Sequence, residues 1–204
     1  MKINLRWILI IIFLIVTVVI FMDVLTDQAY ILDNWFLCVF VRRTEFLTNY
    51  FKLVTLLADY RTIILISGLF LISLIKKKKY SLYLISFTII ATLVNYIFKL
   101  IVARPRPEGI NLIDISGYSF PSGHAMGAMS FYGLIIYFII KSKINKIYKW
   151  ICSILLSFII LNIGYSRVYL GVHYFTDVIV GYSISLILLI IITHFINKYG
   201  KDVV

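Results

Sequence analysis

The chain contains three histidines, His124, His173 and His194. Two of them stand in short polar stretches that interrupt apolar sequence. The stretches read Lys99-Leu-Ile-Val-Ala-Arg104-Pro105-Arg106-Pro107, Ser119-Phe120-Pro121-Ser122-Gly123-His124 and Ser166-Arg167-Val168-Tyr169-Leu170-Gly171-Val172-His173-Tyr174-Phe175-Thr176-Asp177. Lys99, Arg106 and Arg167 are cations near an expected bilayer edge, where an uncompensated charge costs several kcal/mol. Asp177 is the only acid in the three stretches, so together they lack an anion. Phosphate fits that deficit, because the arginine fork matches its oxygens and lysine adds a point charge. Pro121-Ser122-Gly123 precedes an apolar run and predicts a helix start. Helix starts carry free N–H groups and a positive dipole end, and glycine lets an oxyanion approach the backbone.

Asp177 follows His173 by four residues, on the same face of a helix. A carboxylate there accepts a hydrogen bond from one ring nitrogen, fixes the tautomer and makes the other nitrogen a better nucleophile or base. A second histidine beside a leaving oxygen can donate its proton. A nucleophilic imidazole, a proton donor and a cationic cradle suit phosphoryl transfer through a phosphohistidine, with Lys and Arg holding the charge on the equatorial oxygens. A metal site would need several clustered ligands. Only the two histidines with Glu108, Asp114 and Asp177 are at hand, at no familiar ligand spacing. The expectation is therefore no metal and no cofactor.

The elements that must position these residues are apolar. Of 204 residues 62% are hydrophobic and 14% charged, with a mean hydropathy of +0.99; soluble domains average about 45–50% and about 25%. Six apolar stretches, 7–22, 53–75, 81–102, 125–140, 150–165 and 174–196, predict an all-α, six-transmembrane-helix bundle forming one membrane-embedded domain over 1–204. The first stretch lacks a small-residue cleavage site before Asp23 and reads as a retained anchor. Cys38 and Cys152 read as free thiols.

The net charge is +11. With the N-terminus in the cytoplasm, Lys2, Arg6, Lys76 to Lys79, Lys141, Lys143, Lys146, Lys149, Lys198 and Lys201 face Asp202 alone on the inner side, and the remaining charges balance. This is the positive-inside pattern, with attraction to anionic lipid as a by-product. Nucleic acid is not needed to explain the charge, and no obligate protein partner is implied. Both termini are expected in the cytoplasm, with 23–52, 103–124 and 166–173 on the extracytoplasmic side. All three polar stretches then share that face. The stretch 34–50 reads as an interfacial amphipathic helix or a connecting loop. Arg104 reads as a rim charge or an added phosphate contact, and Asp59 with Arg61 as a pair or a specificity element. Tyr118, Phe120, Tyr169 and Tyr174 are candidate substrate contacts, and His194 is an interfacial residue at the inner end. A transporter would place its charges at the midplane and show an inverted repeat; neither feature is present in the sequence.

Lys-x6-Arg-Pro (Lys99, Arg106, Pro107), Pro-Ser-Gly-His (Pro121 to His124) and Ser-Arg-x5-His-x3-Asp (Ser166, Arg167, His173, Asp177) resemble the three-part signature of the type 2 phosphatidic acid phosphatase family, which includes vanadium haloperoxidases and bacterial acid phosphatases. Every specified position matches. The resemblance implies that His173 is the nucleophile held by Asp177, that His124 protonates the leaving group, and that Lys99, Arg106, Ser122, Gly123 and Arg167 bind phosphate. It further implies a metal-independent phosphatase of the bacterial cytoplasmic membrane acting on a lipid phosphate or pyrophosphate. Undecaprenyl pyrophosphate is the favoured substrate, ahead of phosphatidylglycerol phosphate and phosphatidic acid. Two titrating histidines predict a bell-shaped pH–rate profile.

Overall fold

The computed structural model describes residues 5–73, 78–109 and 111–199, and every regular element among them is helical. The helices are α1 (Leu5–Leu25), α2 (Ala29–Phe40), α3 (Glu45–Thr55), α4 (Tyr60–Ser73), α5 (Lys78–Val102), α6 (Gly123–Lys141), α7 (Lys146–Tyr169) and α8 (Phe175–Tyr199). Helix is what a long Ile-, Leu-, Val- and Phe-rich segment must form in lipid, where backbone groups can be satisfied only within the segment. Among the described helices, α1, α5, α6, α7 and α8 are long and apolar enough to cross a membrane.

The most buried of these is α6, which packs against α5, α7 and α8, while α1 lies along α8. Leu84 and Phe87 of α5, Ala128, Phe131 and Leu134 of α6, Ile163 of α7 and Ile196 of α8 belong to the main core. Packing rather than water exclusion drives such contacts in a bilayer, so small residues matter. A Cβ on Gly181 would stand 3.0 Å from the Ser122 carbonyl oxygen, and one on Gly164 would collide with the Tyr182 hydroxyl. Between α6 and α8 the Ser130 hydroxyl donates to that of Ser185 at 3.2 Å, and Ser185 in turn donates to the Met126 carbonyl at 3.1 Å. Ile11, Ile15, Val18 and Val19 of α1 remain exposed, as do Ile154, Leu155, Phe158 and Leu161 of α7. They form an apolar exterior suited to acyl chains.

Two expectations change. The stretch 53–75 is not one helix. α3 ends at Thr55, a 3-10 turn covers Leu56–Ala58, and Asp59 adopts an extended conformation before α4. The Asp59 carboxylate accepts a hydrogen bond from Arg61 N at 2.9 Å. That is the N-cap preference of aspartate, which breaks one helix and starts another. The 14 residues of α4 span about 21 Å at 1.5 Å per residue, short of a hydrocarbon core of about 30 Å. Residues 74 and 75, the end of the expected span, lie outside the described residues.

The stretch 34–50, within the segment 23–52, is neither one interfacial helix nor a loop. The segment holds α2 and most of α3, joined through the non-helical residues Val41 to Thr44. Thr44 caps α3 by accepting from Leu47 N at 3.3 Å, with Glu45 in its first turn and Lys52 in its last, matching the helix dipole. Tyr165 donates to the Phe40 carbonyl at 2.7 Å, and Arg43 Nε donates to the Tyr169 carbonyl at 2.9 Å, so this segment is pinned to the end of α7.

At the opposite end of the bundle Arg6 and His194 meet at 3.0 Å, which brings the start of α1 to the end of α8. His194 is 17 residues from Asp177 along α8, about 25 Å at the helical rise. Cys38 and Cys152 are free.

Candidate active site

Three chain reversals build the site. Ala103, with φ of 49°, closes α5 through a bond from its N–H to the Lys99 carbonyl at 3.0 Å, and the chain continues without regular structure through Arg104 to Pro107. Ser119 returns alongside, its N–H on the Arg104 carbonyl at 2.9 Å and its hydroxyl on the Pro105 carbonyl at 2.9 Å. The Phe120–Pro121 peptide is cis, and Ser122 then caps α6 by accepting from Ala125 N at 3.4 Å. Ser122 N–H donates to the Asp177 carbonyl at 3.0 Å and so ties the start of α6 to the first turn of α8. The third reversal follows α7. Gly171, with φ of 77°, supplies the left-handed residue that ends the helix without a Cβ penalty. It lets the N–H groups of Val172 and His173 both reach the Arg167 carbonyl at 3.2 Å.

His173 is buried, its Nδ1 3.3 Å from Asp177 Oδ2. The same oxygen accepts Tyr174 N–H at 2.9 Å, and Oδ1 accepts Arg104 Nη1 at 2.7 Å. An ionised carboxylate only accepts, so the Nδ1 proton belongs to this contact and Nε2 keeps its lone pair. Arg106 Nη1 lies 3.3 Å from that Nε2. The Arg106 guanidinium is itself braced by the carbonyls of Val172, Gly117 and Ser116 at 2.7, 2.9 and 3.1 Å. Burial pushes the His173 imidazole down to about 4; the hydrogen bond and charge of Asp177 oppose that shift, and Arg167 and Arg106 add to it. The ring is therefore neutral at pH 7.

Arg167 is 1% exposed. Its Nη1 donates to the Thr55 hydroxyl at 2.5 Å, while Nε and Nη2 are buried with no hydrogen-bond partner among the described residues. Leaving such donors unpaired is costly. This adjacent pair forms one edge of a fork that matches two oxygens of a tetrahedral anion. Lys99 donates to the Tyr118 carbonyl. The ionisable groups whose charges act on His124, in the first turn of α6, are Arg167, His173, Arg106 and Lys99.

All eight residues expected in the site, Lys99, Arg106, Ser122, Gly123, His124, Arg167, His173 and Asp177, thus converge at one end of the bundle. A Cβ on Gly123 would stand 3.2 Å from the Asn95 amide oxygen. Asn95, whose amide donates to the Pro121 carbonyl at 3.0 Å, carries no motif and escapes a sequence reading. Arg104 is neither rim charge nor phosphate contact. Its Nη2 donates to Asp33 Oδ2 at 2.7 Å and its Nη1 to Asp177, with the Tyr174 ring stacked 3.8 Å away. Burial lowers its basicity, but Asp177 and Asp33 outweigh that and hold the guanidinium above its usual value. Phe120 and Tyr169 are fully buried packing residues, not substrate contacts; the Tyr169 hydroxyl accepts from Thr44 N at 2.9 Å and donates to the Thr44 carbonyl at 3.1 Å. A cavity of about 440 Å³ opens beside the imidazole, lined among others by Asn34, Arg43, Arg106, Glu108 and His173. Among the described residues no three His, Cys, Asp or Glu side chains gather as metal ligands.

Residues 80–201 match the family model of the PAP2 superfamily. Over 111 residues, 53% of this chain, the sequence is 40% identical to phosphatidylglycerophosphatase B of Bacillus subtilis, and the match spans 54% of that relative, about half its length. Over 190 residues it is 29% identical to lipid A 4'-phosphatase of Porphyromonas gingivalis, covering 84% of this chain and 75% of the relative. The fold is similar to the crystal structure of a transmembrane PAP2-type phosphatidylglycerolphosphate phosphatase from Bacillus subtilis, with a TM-score of 0.81, 26% identity and 97% and 98% of the two chains covered. It is also similar to LpxE of Aquifex aeolicus, with a TM-score of 0.59, 27% identity and 74% and 88% covered.

Proposed function

The chain belongs to the PAP2 superfamily, and on that premise we propose that it is a membrane phosphatase that hydrolyses a lipid phosphate through a phosphohistidine, without a metal. The observation that carries this reading is the pairing of a neutral His173, its Nδ1 on Asp177 at 3.3 Å, with the two partnerless donors of Arg167. Arg167 lies near enough for its charge to act on the imidazole.

In the first step His173 Nε2 attacks phosphorus and a P–N bond forms. The bond to the lipid oxygen breaks, and His124 gives that oxygen its proton. Asp177 stabilises the positive charge that develops on the imidazole. In the second step water attacks phosphorus and passes a proton to His124; the P–N bond breaks, phosphate leaves and both histidines are restored. Lys99, Arg106, Arg167, the Ser122 hydroxyl and the backbone N–H at Gly123 hold the non-bridging oxygens, whose charge grows in each transition state.

The chain acts as one domain with six crossings and both termini in the cytoplasm, in the cytoplasmic membrane of a bacterium. The Arg6–His194 contact supports this reading, because it brings the start of α1 to the end of α8, as an even number of crossings would. Five helices are long enough, and the short α4 is assigned the sixth crossing, with local thinning of the bilayer making up its length. The lysine-rich inner segments then put the site on the extracytoplasmic face. A phosphorylated lipid reaches it with its tail still in the bilayer, and the 440 Å³ cavity beside His173 takes the polar group that carries the phosphate.

The relatives move the first substrate from undecaprenyl pyrophosphate to phosphatidylglycerophosphate. The test is phosphate release by the purified protein in detergent with EDTA, from phosphatidylglycerophosphate, phosphatidic acid and undecaprenyl pyrophosphate in parallel. Release that persists in EDTA and is fastest from phosphatidylglycerophosphate is expected. Release abolished by EDTA would overturn the metal-free reading, and no release from any of the three would overturn the phosphatase.

The depressed His173 value sets the pH dependence. A group that titrates near 4 stays unprotonated through the neutral range, so the nucleophile is lost only as pH falls through about 4. The acid limb of kcat/KM, with ionisation of the substrate divided out, should lie there and not near the ordinary histidine value of about 6.5. A limb at 6.5 would show that His173 is not held neutral by its surroundings.

A further inference from the structure

We propose that Asp33 of α2 is a positioning residue for the reaction, acting through Arg104 to fix the orientation and the effective charge of Asp177. This rests on the roles given above to His173 and Asp177. The cluster is closed: Arg104 Nη2 donates to Asp33 Oδ2 at 2.7 Å, and Arg104 Nη1 to Asp177 Oδ1 at 2.7 Å and to the Thr176 hydroxyl at 2.9 Å. Thr176 then donates its N–H to Asp33 Oδ1 at 2.8 Å and its hydroxyl to Oδ2 at 3.0 Å. Asp33 is 4% exposed and Asp177 fully buried. Each of the four carboxylate oxygens of Asp33 and Asp177 has a donor.

The charge count gives the cluster its purpose. Arg104 alone beside Asp177 would cancel the carboxylate that must support a positive imidazole. A second carboxylate on the far side of the guanidinium leaves one net negative charge among the three groups, directed through Asp177 Oδ2 at His173. Arg104 also occupies Oδ1, so Asp177 cannot rotate and offers Oδ2 to the imidazole and to Tyr174 N–H. Asp33 therefore contributes without touching substrate. It lies outside the matched stretch 80–201 and arrives from a helix that the three motifs do not include. The helix α2 is thereby coupled to the reaction.

Asp33→Asn keeps the size and one acceptor but removes the charge. In the full chain in detergent, with phosphatidylglycerophosphate as substrate, kcat should fall about 10- to 100-fold, the scale recorded for residues that orient metal-bound histidines, with KM within about twofold. In an Asp177→Asn background the same substitution should cost less than about twofold, because its route is already cut. A residue that merely anchors α2 would lower activity equally in both backgrounds, in proportion to the folded fraction seen by gel filtration. That result, or an unchanged kcat, would overturn the proposal. If Asp33→Asn does not fold, Arg104→Lys, which keeps the cation and loses the two-way bridge, should show the same selective fall in kcat, and wild-type kcat would overturn it. An inactive wild-type protein removes the phosphatase reading and this one together; an active wild type with an undiminished Asp33→Asn removes only this one.

Discussion

Replacing His173 with alanine is expected to reduce phosphate release by about 10⁴-fold or more, the scale seen when a nucleophile is removed from a site that works as a unit. The loss should fall on kcat, since Lys99, Arg106 and Arg167 remain to bind the anion. Asp177 keeps Arg104 and Tyr174 N–H as partners, so the variant should fold and a loss of rate will not reflect a loss of protein. Rapid acid-free quenching of wild type with a labelled substrate should trap a phosphorylated chain that is stable in base and labile in acid, as expected for a P–N bond, and the variant should trap none. A variant that retains full rate would remove the phosphohistidine.

The second large effect is expected at Arg167. Lysine there keeps a charge but supplies no fork, and the bond to the Thr55 hydroxyl at 2.5 Å is lost. The transition state loses two aligned donors, and kcat/KM should fall about 10²- to 10³-fold, the cost recorded for removing one such donor from a transition-state oxyanion. Stability should move the other way. The buried Nε and Nη2 have no partner among the described residues, so Arg167→Leu should raise Tm while abolishing turnover. Adding inorganic phosphate should raise the Tm of wild type, because binding to the folded state stabilises it, and should raise that of Arg167→Leu less. A Tm that falls with Arg167→Leu would mean that Arg167 supports the fold and not the anion.

The motif residues were legible because their chemistry is local. The four-residue step from His173 to Asp177 needs only a helical turn, and a Pro-Ser-Gly before an apolar run needs only a cap. What escaped depends on distance along the chain. Arg104 looks like a loose cation until Asp33, 71 residues away, is found beside it, and Thr55 meets Arg167 across 112 residues. Asp33 did give a signal, an acid inside an apolar run, since a buried charge demands a partner; the sequence could not name the partner. The broken stretch 53–75 escaped for a different reason. Averaged hydropathy hides a single aspartate, yet one Asp59 carboxylate on Arg61 N–H is enough to end one helix and begin the next. The segment 23–52 was ambiguous because its aromatic residues serve equally as packing and as anchors, and only its bonds to α7 decide that it folds as two pinned helices.

The main-chain bond from Ser122 N–H to the Asp177 carbonyl has a mechanical meaning. It joins the turn that carries His124 to the turn that orients His173, and the hydroxyl pair Ser130 and Ser185 repeats the join deeper between the same two helices. Bilayers of different thickness retilt the helices that cross them. With α6 and α8 fastened to each other at two levels, such retilting is taken up elsewhere in the bundle. His124 and His173 keep their separation, so the chemistry proposed for them is buffered against the thickness of the membrane around the bundle.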